Sequence, residues 1–432
     1  MNDLPKGNKK LLNAWAFYDW ANSVYPLVIS SAIFPIYYNG IFEQNNIKNI
    51  NFLGINFVNT ALISFVTAVA FLVVAFLSPT LSGIADYIGN KKKFMQFFCY
   101  LGATSCIGLA FFRIENIYFG IACYFFGLIG YWGSVVFYNS YLPDIAFNEQ
   151  QDKLSAKGYS LGYIGSVILL VGNLIFILDK SGADALTFMK YSFVSVGIWW
   201  ILFSQYTFYY LPKGNKTDHK ITKKVVFNGF NELKKVWFLL NQNIRLKRYL
   251  IAFFVYSMAV QTVMLIATYF GSKEILWSSP EESTKGLIIS ILLIQLVAIV
   301  GAILTSRASA KFGNIPTLIA VNSIWTIICI MAYFVTLPIH FYITATFVGL
   351  VMGGIQALSR STYSKLLPET NDTTSFFSFY DVAEKIGIVI GMTIYGLIDQ
   401  ITGSMRNALV FLAVFFIAGL LLLLRVPKEV KI

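Results

Sequence analysis

The chain has 432 residues, of which 57% are hydrophobic and only 12% are charged, and its mean hydropathy is +0.66. Soluble domains carry about 25% charged residues, so this composition excludes a soluble globular protein and predicts a multi-pass membrane protein. The formal net charge is +12. In so apolar a chain, basic residues record topology and contact anionic lipid headgroups, so no nucleic-acid partner is expected.

Twelve apolar segments are long enough to span a bilayer, since about 20 helical residues cross about 30 Å of hydrocarbon. We predict an all-α membrane protein with two six-helix halves, 1–211 and 249–432, joined by a polar linker over 212–248. The spans of the first half are expected near 14–40, 57–83, 92–112, 117–141, 158–178 and 188–211. Those of the second half are expected near 249–271, 285–306, 316–336, 340–362, 376–398 and 405–425.

The basic residues are distributed unevenly between the two sides of this predicted bundle. Most of the 33 Lys and Arg residues fall on the side that holds both termini and the linker. The positive-inside rule therefore predicts cytoplasmic N- and C-termini and a location in the cell (cytoplasmic, inner) membrane. The first apolar segment is too long for a signal-peptide core, so we expect it to be retained as a span. We expect the chain to function as a monomer in the lipid bilayer.

The linker contains one helical stripe of apolar residues with lysines beside it. The stripe consists of Val226, Phe230, Leu233, Trp237, Leu240 and Ile244, and the lysines are Lys223, Lys224, Lys234 and Lys235. Steps of three and four predict an amphipathic helix whose apolar face lies in the headgroup boundary at the cytoplasmic surface. A solvated linker helix is the alternative.

Two loops, each after the second span of its half, carry a glycine with basic residues nearby. The first reads "PTLSGIADYIGNKKKF" and the second "GAILTSRASAKFGNIPTL". Glycine permits a tight reversal, and an acid at a helix end can be held by a neighbouring helix N-terminus or by the basic turn. We therefore predict that Asp86, Gly89 and Lys91 form a latch for one conformation. In the second loop Gly313 is present, but Ala310 stands where the acid would be.

The first loop resembles the signature G-x-L-A-D-x-x-G-[RK]-[RK] of the major facilitator superfamily. The matching positions are Ala85, Asp86, Gly89 and Lys91, whereas Ser82 and Asn90 depart from the pattern. The stretches "WAFYDWANSVYPLVISSAIFP", "FYNSYLPDIA" and "GGIQALSRSTYSKLLPE" further resemble the Unknown Major Facilitator family, which includes fungal autophagy-related vacuolar amino-acid exporters. The resemblance extends over essentially the whole chain.

This resemblance implies the major facilitator fold, in which spans one, four, seven and ten line a central cavity. It also implies transport of amino acids. One departure concerns the seventh span, where the family is expected to have Asn-Asp-Gly and this chain has Ser257, Met258 and Ala259. A role for a carboxylate at that place is therefore not transferred to this chain.

Polar side chains inside the apolar spans mark a candidate transport path, because each is costly in lipid unless it faces protein or water. In the first span, Asp19 and Asn22 share one helix face with Ser23 and Pro26. The candidates for substrate binding are Asp19, Asn22, Tyr138, Asn139, Gln261, Gln356, Arg360 and Tyr380. An arginine, a carboxylate, amides and tyrosines together suit a small polar or zwitterionic solute.

The eleventh span holds Asp381, Glu384 and Lys385, which we consider with Asp19 as coupling or gating residues. Asp381 and Lys385 stand four apart in the favourable order and are expected to pair. Glu384 then either pairs with Arg360 across helices or titrates as a proton carrier. For Asp19, an ion pair at an inner gate and proton coupling are equal alternatives.

We predict a secondary active transporter that moves a small solute by alternating access, with amino-acid efflux preferred and proton coupling open. Transport of sugars, peptides or drugs is the alternative, and a channel or receptor is the alternative of a different class. The motifs HExxH and GxxxxGK[ST] are absent from the sequence, so we expect neither an enzyme nor a cofactor. His219 and His340 stand far apart and the four cysteines lie in apolar spans, so no metal site is expected.

Overall fold

A computed structural model of the chain describes residues 4–178, 180, 182–213, 225–402 and 404–427. The helices of the first half are α1 (Lys9–Asn22), α2 (Phe34–Gln44), α3 (Asn59–Ile88), α4 (Lys91–Leu109), α5 (Ile117–Ser140), α6 (Leu142–Ile145), α7 (Asn148–Ile177) and α8 (Gly182–Tyr210). The remaining helices are α9 (Val225–Gln242), α10 (Ile244–Glu274), α11 (Pro280–Phe312), α12 (Asn314–Ala332), α13 (Pro338–Leu366), α14 (Thr373–Thr402) and α15 (Met405–Leu424).

Ten helical segments in the described part of the chain are long and apolar enough to cross a membrane. Helices α4 and α14 fall outside this group, although α4 has 19 residues and α14 has 30. The lysines at the start of α4 and the charged residues within α14 lower their hydropathy. Both helices nevertheless pack among the others, α4 on α5 and α8, and α14 on α3 and α10. The structure is therefore a predominantly helical membrane bundle, while the count of twelve spans and the cytoplasmic termini stay predictions.

The first membrane segment is a continuous rod built from three helical pieces. A π-helix over Tyr25–Ile33 joins α1 to α2. Within it, Ser31 Oγ donates a hydrogen bond of 2.8 Å to the carbonyl of Pro26, five residues earlier. Proline has no N–H, so Pro26 interrupts the α-helical ladder. Such π-helical turns occur frequently at functional sites, and this one follows directly on the turn that holds Asp19 and Asn22.

A short hairpin connects the first two membrane segments. Strand β1 (Asn49–Phe52) pairs antiparallel with β2 (Ile55–Val58). The two turn residues, Leu53 and Gly54, have φ angles of 52° and 80°. Two consecutive positive φ angles give the turn geometry that matches the twist of a two-residue hairpin. This hairpin was not anticipated from the sequence.

Two hydrophobic cores, one in each half, hold the bundle together. Glycines let helices approach closely in both. A Cβ on Gly130 of α5 would collide with the backbone of Gly102 in α4, and a Cβ on Gly353 of α13 would collide with the carbonyl of Ala298 in α11. Small residues at such crossings allow backbone-to-backbone packing, which is the main source of helix association in lipid.

Both described ends of the chain lie at the same end of the bundle, which we call the terminus side. Lys6 Nζ donates to the carbonyl of Pro143 at 2.7 Å, next to the beginning of α7. Arg248 Nη1, in the first turn of α10, donates to the carbonyl of Arg425 at 2.8 Å, just after α15. The beginnings of α4 and α14 contact each other at this level, so the two halves meet here.

The linker contains the helix α9, but the predicted stripe is wrong in two respects. The side chain of Asn243 accepts a hydrogen bond from the N–H of Leu246 at 3.0 Å and caps α10, so Ile244 belongs to the next helix and α10 begins before the predicted 249. Leu240 is buried against the bundle, whereas Trp237 is exposed, so the stripe does not form one face. Lys223, Lys224 and His219, with the side chains of Val226 and Phe230, lie outside what the structure describes.

Candidate functional site

A buried ion pair joins the two halves in the interior of the bundle. Arg360 of α13 donates from Nη2 to Oδ2 of Asp19 in α1 at 3.2 Å. Their side chains are only 2% and 9% exposed. The hydroxyl of Tyr138 in α5 donates to the same Asp19 oxygen at 2.8 Å. A buried charge is tolerated only when it is paired and hydrogen-bonded, and this pair meets both conditions.

Every nitrogen of the Arg360 guanidinium has a partner in the first half. Nε donates to Ser155 Oγ at 2.9 Å, Nη1 to Asn139 Oδ1 at 3.2 Å, and Nη2 also to the Ser155 carbonyl at 3.1 Å. The rings of Tyr159 and Trp15 lie 4.3 and 4.8 Å from Cζ, which adds cation–π attraction. In this conformation Arg360 therefore binds the opposite half of the protein rather than a solute.

The ion pair depends on a glycine in α7. A Cβ on Gly158 would collide with the Asp19 carboxylate, and it would lie 3.2 Å from Arg360 Nη2 and from the Tyr138 hydroxyl. Only a residue without a side chain lets α7 approach the pair this closely.

A second charged cluster lies in α14. Lys385 Nζ is 3.0 Å from Asp381 Oδ1 and 2.7 Å from Glu384 Oε2, and its side chain is 0% exposed. Its ammonium also lies 3.4 Å from the centre of the Trp132 ring. Gln261 of α10 donates to the other Glu384 oxygen at 2.6 Å. Two carboxylates face one ammonium, so the cluster carries one excess negative charge when all three groups are ionised.

Three tyrosines border the ion pair and this cluster. The Tyr159 ring lies 4.3 Å from Cζ of Arg360, and the Tyr131 ring lies 5.0 Å from the Trp132 ring that contacts Lys385. Tyr380 stands four residues before Glu384 in α14. Tyr131 and Tyr159 are partly exposed, whereas Tyr380 is buried. The two charged groups therefore belong to one polar region inside the bundle.

At the terminus side, the loop between α3 and α4 connects the halves through its acid. Asp86 Oδ2 accepts hydrogen bonds of 2.7 Å from the N–H and from the hydroxyl of Ser375, and its Oδ1 accepts one of 3.3 Å from the N–H of Thr374. The N–H groups of Thr374 and Ser375 lie in the first turn of α14, where they have no acceptor within the helix and where the helix dipole favours a negative charge. Lys91 pairs with Asp144 and donates to Thr373 Oγ1 at 3.0 Å.

The loop between α11 and α12 lacks its own acid, and one is supplied from the other half. Asp152 of α7 accepts hydrogen bonds from Ser309 Oγ and Asn314 Nδ2, each at 2.9 Å. Lys365, at the end of α13, lies 2.6 Å from the same carboxylate. Asp152 thus supplies the carboxylate that the second loop lacks at Ala310. In the first latch the acid belongs to the loop and binds the other half, whereas in the second latch the acid belongs to the other half and binds the loop. The terminus side is closed by two latches, one at each loop.

Neutralising both latches should shift the bundle away from terminus-side closure. Hydrogen bonds to charged groups contribute about 1.5–3 kcal/mol, so Asp86→Asn with Asp152→Asn should favour opening roughly tenfold or more. Spin labels on cysteines introduced at the exposed positions Glu149 and Glu369 report the distance between the halves. The native thiols that the structure describes are buried.

The matched control for the latch variant is Asp184→Asn, an exposed carboxylate near the start of α8. It should leave the label distance unchanged. The same distance distribution in the latch double variant and in this control would contradict the latch assignment.

The comparisons with known proteins agree with this architecture. The family model described as "Vacuole effluxer Atg22 like" matches residues 7–431. The chain belongs to this family. An uncharacterized MFS-type transporter of Bacillus subtilis, YxiO, is 31% identical over 427 residues, covering 96% of this chain and 95% of YxiO. Autophagy-related protein 22 of Kluyveromyces lactis is 24% identical over 464 residues, covering 96% of this chain and 93% of that protein.

Solved structures show the same fold for this Atg22-like chain. The fucose:proton symporter FucP of E. coli superposes with a TM-score of 0.68 at 16% identity, covering 97% of this chain and 98% of FucP. The proton:xylose symporter XylE superposes with a TM-score of 0.68 at 13% identity, covering 97% and 95%. The protein is therefore a major facilitator transporter related to Atg22, and not an enzyme.

The structure divides the predicted residues of this Atg22-like transporter into groups. Asp19, Tyr138, Asn139 and Arg360 meet in one network. Gln261 meets Glu384, so the predicted alternative in which Glu384 pairs with Arg360 is not what the structure shows.

The other predicted residues lie near these groups. Gln356 accepts a 2.7 Å hydrogen bond from the Tyr163 hydroxyl, which also connects the halves. Tyr380 stacks on Phe253 with ring centres 4.0 Å apart. Asn22 is buried, and its Nδ2 has no hydrogen-bond partner among the described residues.

Sequence reasoning missed several residues that complete the site. In α7, Ser155, Gly158 and Tyr159 contact the ion pair, and their spacing of three and four is a helical face of small and polar residues that signals an interior position. Trp15 and Trp132 place their rings against the buried cations of Arg360 and Lys385. Trp15 stands four residues before Asp19, on the same face of α1.

Proposed function

We propose that this protein is a secondary active transporter that works by alternating access, with the Asp19–Arg360 pair as its gate on the terminus side. The observation that carries the proposal is the complete binding of one guanidinium of the second half by α1, α5 and α7 of the first. A rigid-body movement of the halves must break all of these bonds together. Such a contact suits a two-state gate, because it is either fully formed or absent.

The preferred solute is small and polar or zwitterionic, with amino-acid efflux as the leading case. The polar region beyond the gate offers the partly exposed Glu384 and Gln261 to an ammonium group and the free amide of Asn22 to an acceptor. The description of the family as vacuole effluxers supports export. With cytoplasmic termini in the cell membrane, the gate would close the path towards the cytoplasm.

A screen of purified protein tests the solute class. Amino acids, dipeptides and sugars are added singly, and the thermal unfolding midpoint is measured, because a ligand that binds only the folded state raises it. Stabilisation by an amino acid is the expected result, and a response confined to sugars would overturn the preference. Saturable counterflow of the hit in proteoliposomes is expected of a carrier, whereas unitary currents in single-channel recordings would indicate a channel.

Glu384 is our candidate for proton coupling. It contacts Gln261 and Lys385, and it is the more exposed carboxylate of a cluster with one excess negative charge. Protonation would remove that excess without leaving Lys385 unpaired, since Asp381 stays beside it. We therefore expect Glu384→Gln to retain counterflow but to lose the response of net transport to an imposed pH gradient.

The control for the coupling experiment is Asp399→Asn, a carboxylate near the far end of the same helix. It should keep the response to the pH gradient. If Glu384→Gln proteoliposomes respond to the gradient as the wild type does, Glu384 is not the coupling residue.

A further inference from the structure

Helix α9 lies across the junction of the two halves. Its residues Val236 and Leu240 are buried in the hydrophobic core of the second half, and the helix also packs along α3 of the first half. Lys235 Nζ pairs at 2.7 Å with Asp372, which immediately precedes α14 of the second half. Helix α9 therefore contacts the same two helices, α3 and α14, that Asp86 joins.

A second face of α9 is largely exposed in the part of the chain that the structure describes, where its contact is that of the Trp237 ring with the ring of Phe379 in α14, 5.8 Å between centres. The adjacent rings of Trp237 and Phe238 are 55% and 62% exposed. The edge of this face continues into the exposed Ile244 in the first turn of α10. Two large aromatic residues side by side on a surface helix indicate a contact rather than a solvated face.

The charged residues of the segment that carries this face are basic from 233 to 250. Between residues 233 and 250 the sequence contains no Asp or Glu, and the basic residues are Lys234, Lys235, Arg245, Lys247 and Arg248. Lys234, Lys247 and Arg248 are exposed. Cations next to aromatic rings, at one end of a membrane bundle, match the boundary between acyl chains and anionic headgroups. A neutral bilayer would bury the aromatic rings but would offer no anionic partners to the basic side chains.

We propose that α9 docks this face on anionic lipid headgroups and that the docked helix strengthens closure of the terminus side. Trp237 and Phe238 enter the headgroup boundary while Val236 and Leu240 stay in the core of the second half, because adjacent helical residues point about 100° apart. The bilayer and the protein therefore hold opposite sides of one helix. The effect on closure rests on the alternating access proposed above, whereas the lipid contact does not.

The lipid contact is tested by tryptophan fluorescence of the full-length protein in nanodiscs. The lipids are phosphatidylglycerol or phosphatidylcholine with brominated acyl chains, which quench nearby indoles. The quenching that disappears in the Trp237→Phe variant is the contribution of Trp237. We expect this contribution to be at least twofold larger in phosphatidylglycerol than in phosphatidylcholine. Trp277→Phe, at the opposite end of α10, is the control and should remove a part that does not depend on headgroup charge.

Two outcomes would overturn the lipid contact. Equal quenching of Trp237 by both lipids would exclude recognition of anionic headgroups. The absence of Trp237 quenching in both would show that the face is covered by something else, such as a soluble protein. Neither measurement requires transport, so failure here is distinguishable from failure of the proposed function.

The effect on closure is tested with the spin labels at Glu149→Cys and Glu369→Cys. We expect phosphatidylglycerol nanodiscs to enrich the short distance at least threefold over phosphatidylcholine. Lys235→Gln should lose most of this lipid dependence, and so should Asp372→Asn, because the ion pair between α9 and the residue before α14 is broken in each. Lys311→Gln, an exposed lysine of α11, is the control and should keep it. Equal lipid dependence in Lys235→Gln and Lys311→Gln would overturn the role of α9 in closure.

Discussion

Replacing Arg360 by glutamine should lower the free energy of unfolding by about 3–5 kcal/mol, because it leaves Asp19 buried without its cation. The glutamine amide also cannot reach the three sets of acceptors that the guanidinium contacts. Unfolding is measured by denaturant titration of the purified protein in detergent. Arg360→Lys should lose less stability, because its ammonium keeps the charge but not the fork of donors.

A second variant separates the cost of the orphaned charge from the loss of the gate. Asp19→Asn with Arg360→Gln removes both charges, so most of the lost stability should return, as for other buried pairs whose two members are replaced. The terminus side should still open more often, and the labels at Glu149→Cys and Glu369→Cys measure this. If the double variant is as unstable as Arg360→Gln, the residues act independently and the ion-pair gate is wrong.

The second large effect concerns Gly158, where alanine should separate Asp19 from Arg360. A methyl group would collide with the Asp19 carboxylate. Overpacking of this kind costs about 1–3 kcal/mol, although alanine is otherwise favoured over glycine in a helix by about 1 kcal/mol. We expect Gly158→Ala to destabilise the protein and to slow counterflow at least tenfold.

Gly172 provides a matched control on the same helix. A Cβ at Gly172 meets no atom within 4 Å, so Gly172→Ala should be neutral or slightly stabilising. The two glycine variants therefore differ in sign, which a general effect of helix propensity does not produce. Wild-type stability and counterflow in Gly158→Ala would show that the carboxylate can move aside without cost to the gate.

Asp19 shows how much the local sequence pattern predicts and where it stops. Its sequence context indicated an interior carboxylate, because an unpaired acid on a 26-residue apolar stretch is too costly in lipid. Its partner stands 341 positions away in the chain. Which residue Asp19 faces depends on how both helices are rotated about their axes. The sequence periodicity of one helix carries no information about the rotation of the other helix. For the same reason the sequence left open whether Glu384 pairs with Arg360 or titrates as a proton carrier, and in the structure Glu384 meets Gln261 rather than Arg360.

The latches show the same division at the loops. The first loop could be interpreted from its own residues, since Asp86 and Gly89 follow a known signature and the acid lies at a helix end. The second loop has Ala310, and nothing in its sequence indicates that the acid comes from α7. Only the packing of α7 on α11 brings Asp152 to that loop. A sequence pattern within one half therefore does not predict a contact between the two halves.

The sequence alone therefore determined the class of the protein and which side chains are too polar to face lipid. These follow from composition and from the cost of polar groups in hydrocarbon, which act on each residue separately. The tertiary structure decided which polar residues meet: Asp19 with Arg360, Asp152 with Lys365, and Gln261 with Glu384. Pairing depends on the relative rotation and depth of packed helices, and these are set by contacts of many residues on several helices at once.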